Sequence, residues 1–213
     1  AQAIRPDTKL VFFESISNPT LEVIDIVAVA DLAHAVGALV VVDNVFSTPV
    51  YSKAITLGAD IVIYSATKHI DGQGRGLGGV ILGTKEVIRS VVEPFMKHTG
   101  GAMSPFNAWM MVKSLETLDL RVRAQVETAT ELAEVLEQRA DLLQVIYPGL
   151  QSHPQFDLTQ AQMGAGGTVL AIDVGSKKQA FLMMNALKII LISNNLGDSK
   201  SIITHPETTT HQR

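Results

Sequence analysis

Residues 60–83, "DIVIYSATKHIDGQGRGLGGVILG", decide the fold. The stretch opens with an apolar, β-branched run at 60–65 that reads as a buried strand, and a second run follows at 79–82. The glycine-rich segment between them has no room for a crossover helix, so the two strands are expected to pair antiparallel. Further upstream, "KLVFF" (9–13) and "ALVVVD" (38–43) are apolar runs separated by a helical pattern with Asp25 as N-cap and Gly37 as its closing residue. Within that pattern Ile26, Val29, Ala30, Ala33 and Val36 recur at three- and four-residue steps and define one buried face. A short helical piece is expected near 50–57. Strands that are apolar on both faces and alternate with helices imply parallel neighbours covered on both sides, so the sheet is expected to be mixed and mostly parallel.

Beyond the last of these strands a helix is expected to start near Thr84 and to bend or end at Pro94. "TGGAMSP" then links to a second helical pattern, with Ser104 as N-cap and Pro105 in its first turn, running to about Arg139 with a break near Asp119. At 1.5 Å per residue such a helix is roughly 50 Å long, which suits a bridge between domains. We expect a large domain over 1–118 and a smaller α+β domain over 119–213, joined by the long helix that begins at about 104. Both domains read as incomplete, and both ends of the chain read as cuts in a longer one.

Composition narrows the class. Of 213 residues, 46% are apolar and only 18% are charged, as in globular proteins. The net charge of −4 and the lack of a basic run give no footprint for nucleic acid or an anionic membrane surface. No cysteine is present, which excludes disulfides, zinc ribbons and thiol catalysis. The most apolar region, 26–42, is interrupted by Asp31 and His34 and is too short to span a membrane. A soluble, cytoplasmic protein is the expectation. The six histidines show no metal-ligand spacing. Gly74-x-Gly76-x-x-Gly79 matches a dinucleotide fingerprint by letters, but it leads into a strand where that motif needs a helix, so the nucleotide reading is rejected.

In parallel α/β sheets ligands bind beyond the carboxyl ends of the strands. Each strand here leaves that edge with polar residues: Glu14, Ser17 and Asn18 after the first, Asp43 and Asn44 after the second, Ser65, Thr67 and Lys68 after the third. Taken singly, a loop lysine is ordinarily a solvated charge, an aspartate after a strand a turn residue, and the hydroxyls caps of the next turn. Their shared edge favours a site. A lysine held out of bulk water can form a Schiff base, an aspartate can keep a pyridinium nitrogen protonated, and hydroxyls can donate to a phosphate. Those are the requirements of pyridoxal 5'-phosphate (PLP).

"VVDNVFSTP", "YSATKHIDGQGRGLGG", "SPFNAW", "LETLDLR" and "NNLGDSKSIITHPETTTH" resemble the PLP-dependent enzymes of Cys/Met metabolism over nearly the whole chain. The resemblance implies an α/β fold of PLP fold type I, with a smaller C-terminal α+β domain. It implies that Lys68 is the catalytic and cofactor-binding lysine, that Asp43 pairs with the pyridine nitrogen, that Ser65 and Thr67 hold the phosphate, and that Asn18 lies near the ring's phenolic oxygen. Asn195 stands where the family often has a serine that helps hold the substrate carboxylate. The variants "DGQGR" and "NNLGD" point to members that use O-succinylhomoserine and sulfide for γ-replacement in methionine biosynthesis. The alternatives are a γ-lyase, a cystathionine γ-synthase or lyase, or an inactive fragment of such an enzyme. The resemblance further implies a homotetramer acting on a small amino acid. Residues lent to a neighbouring subunit and an arginine for the substrate carboxylate are expected outside these 213 residues.

Overall fold

Val40, Val42 and Val62 have no solvent exposure, and around them the first half of the chain builds a four-stranded sheet in the computed structural model, which describes residues 3–211. Strands β1 (Leu10–Glu14), β2 (Leu39–Asp43), β3 (Ile61–Ser65) and β4 (Gly79–Gly83) lie in sequence order. The β1–β2 and β2–β3 pairs are parallel, whereas β3 and β4 run antiparallel with Ser65 opposite Gly79. The sheet is therefore mixed, and the short glycine-rich connection produces the reversal that its length requires.

Helix α1 (Ile26–His34) is capped by Asp25, whose carboxylate accepts from the Ala28 N–H, and it buries Ile26, Ala30 and Ala33 against the sheet. Full burial of one such valine or isoleucine contributes roughly 1.5–3 kcal/mol. Coverage of the sheet is one-sided at its β1 edge. Leu10 and Leu39 are in register on the same face as Phe12, and all three are exposed, Phe12 by 56%. The expectation of two covered faces thus fails there among the described residues.

Two short turns, α2 (Thr48–Tyr51) and a 3-10 turn at Ala54–Leu57, replace the single piece expected near 50–57. The helix does not end at Pro94. Thr84 caps α3 (Lys85–Val87), a π-bulge at Ile88–Val92 follows, and α4 (Glu93–Thr99) continues to Thr99. The widened π turn makes room for the proline ring at the very start of α4, where its missing N–H matters least. The long helical pattern is two helices, α5 (Pro105–Leu115) and α6 (Leu118–Glu137). The break falls at Glu116–Thr117, close to Asp119 as expected, and Asp119 itself sits inside the first turn of α6, where it pairs with Arg123.

The last third of the chain folds into β5 (Gln144–Ile146), α7 (Phe156–Gln162), β6 (Ala171–Asp173), α8 (Lys177–Ala186) and the short parallel pair β7 (Leu191–Ile192) and β8 (Ile202–Ile203). Strands β5 and β6 are antiparallel. Fully buried Tyr147 ties this region to α6, its hydroxyl donating to Gly167 O and meeting Thr130 Oγ1, each at 2.9 Å. Two glutamines join it to the segment before α1. Gln155 both accepts from Val23 N and donates to Val23 O, and Gln162 does the same with Ile26 N and Ile24 O. No described helix is long and apolar enough to cross a membrane.

Candidate active site

Lys68 lies in a single π turn, Ala66–Ile70, directly after β3, and its backbone (φ −91°, ψ −123°) departs from helical values inside that turn. The side chain is half-buried, and burial pulls its amine below the ordinary lysine value. Its Nζ donates to Asn195 Oδ1 at 2.8 Å across 127 positions of sequence. The loop bearing Asn195 is fastened at three points, two on the lysine turn and one on α6: Ser199 N donates to Gly72 O, Gly197 lies flat on His69, and Gln125 Nε2 of α6 donates to Asp198 O. A Cβ at Gly197 would come within 2.5 Å of the His69 backbone nitrogen, so the approach requires glycine.

The two hydroxyls beside Lys68 are not used as caps. The Ser65 side chain makes no capping bond to the turn. Thr67 Oγ1 accepts from Gly78 N at 3.2 Å, which leaves its own proton free to donate elsewhere. At the end of β2, Asp43 accepts from Val45 N at 3.0 Å and has no cationic partner among the described residues. Burial pushes its carboxyl up; the hydrogen bond from Val45 opposes this, and the charge of Glu14, level with it on β1, adds to the rise. A half-buried carboxylate without a cation, hydroxyls with protons to give and a lysine of lowered basicity are donors and acceptors that fit PLP.

Lys68 and Asn195 are thus in direct contact, while Ser65, Thr67 and Asp43 stand at the same end of neighbouring strands. Asn18 is placed less tightly. It is exposed, it precedes Pro19 through a cis peptide, and its N–H donates to Glu14 Oε2 at 2.8 Å. Two residues expected at the edge serve the fold instead. Asn44 is fully buried and donates to Ser52 O and Tyr64 Oη, and Ser17 Oγ accepts from Glu22 N within a local turn.

Other groups at the turn carry no sequence signature. Behind Lys68 the His69 ring is buried, its Nε2 bonded to Thr168 Oγ1 at 2.7 Å. Burial, with the charges of Arg121 and Lys68 adding to it, lowers His69 to about 4, so it is neutral at neutral pH. Asp71 is fully buried and holds Arg75 through both Nε and the backbone N–H. Arg121 reaches the turn from α6. "LETLDLR" includes Arg121 and one of its partners, the Thr117 hydroxyl, but gives no sign of the others, which are backbone carbonyls.

Comparison with known proteins gives the family. The model of the Cys/Met metabolism PLP-dependent enzymes matches residues 1–213. O-succinylhomoserine sulfhydrylase of Mycobacterium tuberculosis is 51% identical over 216 residues, covering 99% of this chain and 53% of that protein. The enzyme of the same name from Pseudomonas aeruginosa is 49% identical over 212 residues, 99% of this chain and 52% of that protein. Among solved structures, cystathionine gamma synthase of Xanthomonas oryzae pv. oryzae superposes with a TM-score of 0.92 at 34% identity, covering 95% of this chain and 53% of that one. The chain spans about half the length of the curated relatives it matches. Sequence and fold agree: the chain belongs to the Cys/Met metabolism PLP-dependent enzyme family, of PLP fold type I.

Proposed function

We propose that the protein is a PLP-dependent γ-replacement enzyme that converts O-succinylhomoserine and sulfide into homocysteine and succinate. The observation that carries the reading is the lysine itself: Lys68, lowered in basicity by burial, held by Asn195 and flanked by the hydroxyls of Ser65 and Thr67, neither of which caps the turn. The choice of donor follows the two sulfhydrylases similar to this chain. Bound PLP supplies an electron-withdrawing ring that loosens the Cα proton of an amino acid.

The chain's own residues then have distinct tasks in this reading. Lys68 Nζ binds the cofactor and, once released, accepts and returns protons along the substrate carbons, as a general base of lowered pKa can at neutral pH. Asn195 Oδ1 accepts from the amine and fixes its reach. Asp43 would hold the proton on the pyridine nitrogen. Ser65 and Thr67 would donate to the phosphate, and Asn18 would meet the ring oxygen. The large domain over 1–118 carries these groups, and the region over 119–213 brings Asn195. An exposed stripe on α5, Phe106, Trp109 and Val112 at three-residue steps, supports self-association, and we take the assembled enzyme to be a cytoplasmic homotetramer.

The test is product analysis with PLP and O-succinylhomoserine, with and without sulfide. Homocysteine that forms only when sulfide is present supports replacement. Ammonia and a keto acid released without sulfide would make the protein a lyase.

A further inference from the structure

The turn that carries Lys68 has an incomplete end. A helix that continued would satisfy the carbonyls of residues 69 and 70 with the N–H groups of the next turn. Here Gly72, at φ +70°, turns the chain away, and those N–H groups never arrive. The carbonyls are met by a side chain instead. Arg121 Nη1 donates to His69 O at 2.8 Å, and Nη2 reaches Ile70 O at 3.4 Å. The same guanidinium is anchored from behind, Nη2 donating to Ser114 O at 3.0 Å and Nε to Thr117 Oγ1 at 3.1 Å.

Two further features make this a built site. The guanidinium lies on Gly72, where a Cβ would fall 2.0 Å from Nη1, so any larger residue would evict it. Arg121 also has no carboxylate hydrogen-bonded to it among the described residues, since Asp71 is taken by Arg75. A charged fork spent on backbone carbonyls fixes direction as well as distance.

We propose that Arg121 is the positioning residue for Lys68, standing in for the missing helical turn and holding the non-helical Lys68 backbone so that Nζ points to its partner. The proposal deepens the reading of Lys68 given above and rests on it. Helix α6 thereby becomes part of the site without touching substrate or cofactor. Because the anchors Ser114 and Thr117 lie at the junction of α5 and α6, the lysine is referenced to that junction.

The test uses the whole protein with Arg121→Ala, Arg121→Lys and Gly72→Ala, and Arg123→Ala as a control on the same helix that pairs outward with Asp119. Two readouts need no cofactor: amide hydrogen exchange across residues 66–75, and acetylation of Lys68 against pH followed by mass spectrometry. A third is the rate at which Lys68 captures PLP, read by absorbance. In Arg121→Ala, exchange at residues 69–74 should rise about tenfold or more. The Lys68 titration should move toward that of an ordinary lysine, and PLP capture should slow about tenfold. Arg121→Lys, with a point charge for a fork, should recover part of each change, Gly72→Ala should reproduce the loss, and the control should match wild type. Wild-type exchange and Lys68 titration in Arg121→Ala overturn the proposal. If that variant fails to fold, the same two readouts in Arg121→Lys and Gly72→Ala decide it, wild-type behaviour in both overturning it. A wild type that binds no PLP sinks the functional reading alone, because exchange and acetylation still decide the role of Arg121.

Discussion

Lowering the pH from 7 to 4.5 should destabilise the protein through His69 by an amount that can be worked out beforehand. The ring is buried, bonded to Thr168 and lowered from 6.5 to about 4, first by burial and then by the charges of Arg121 and Lys68. Between those two values the unfolded chain binds a proton that the folded protein refuses. Stability therefore falls as pH drops below 6.5 and levels off near 4, where both states are protonated. The full difference is worth about 3 kcal/mol, most of it lost by pH 4.5, and a domain of this size has only about 5–15 kcal/mol to lose. Urea unfolding without cofactor, at half-unit pH steps from 7.5 to 4.5, measures it. Other groups titrate in the same window, so the quantity to read is the difference between wild type and His69→Gln, which keeps a polar group toward Thr168 without a titrating proton. That difference should shrink by about 2–3 kcal/mol on acidification. Two curves that stay parallel from pH 7 to 4.5 would falsify the claim that His69 is buried neutral.

Asn195→Asp puts a carboxylate where the amide oxygen now accepts from Lys68. An adjacent negative charge favours the ammonium form, so the Lys68 titration should shift upward and the pH–rate profile should follow it, as measured by acetylation and by initial rates. Tyr147→Phe removes a buried hydroxyl that satisfies Gly167 O and Thr130, and it should cost about 1–3 kcal/mol in thermal or urea unfolding with little change in the Lys68 titration.

Much of this architecture can be read from sequence because it follows from short-range constraints. A connection too short for a crossover helix made β3 and β4 antiparallel, and Asp25 and Ser104 announced their helices as caps. The placement of Lys68 just after a buried strand, at the carboxyl edge of the sheet, was legible because the apolar run before it ends in polar residues. Asn44 was misjudged because a polar residue after a strand can turn outward or inward; an inward path to Ser52 O and Tyr64 Oη won here. Pro94 does not stop its helix, because a π-bulge precedes it and absorbs a proline that a regular helix would reject. Arg121 was opaque for a different reason. Its partners are the carbonyls of residues 69 and 70, about fifty positions away, and any residue type can offer a carbonyl. The three fastenings of the Asn195 loop were hidden in the same way.

The glutamine pairs of α7 have a consequence for how the two ends of the molecule stay joined. Gln155 and Gln162 read only the peptide groups of residues 23, 24 and 26, and neither side of the contact carries charge. Salt cannot screen such a clasp, and no proton enters or leaves it across the physiological range. Urea is itself an amide and competes for the same bonds, so it should loosen this seam under conditions in which high ionic strength leaves it closed. The side chains at positions 22 and 24 can meanwhile vary without disturbing the grip, because the clasp recognises the backbone and not its substituents.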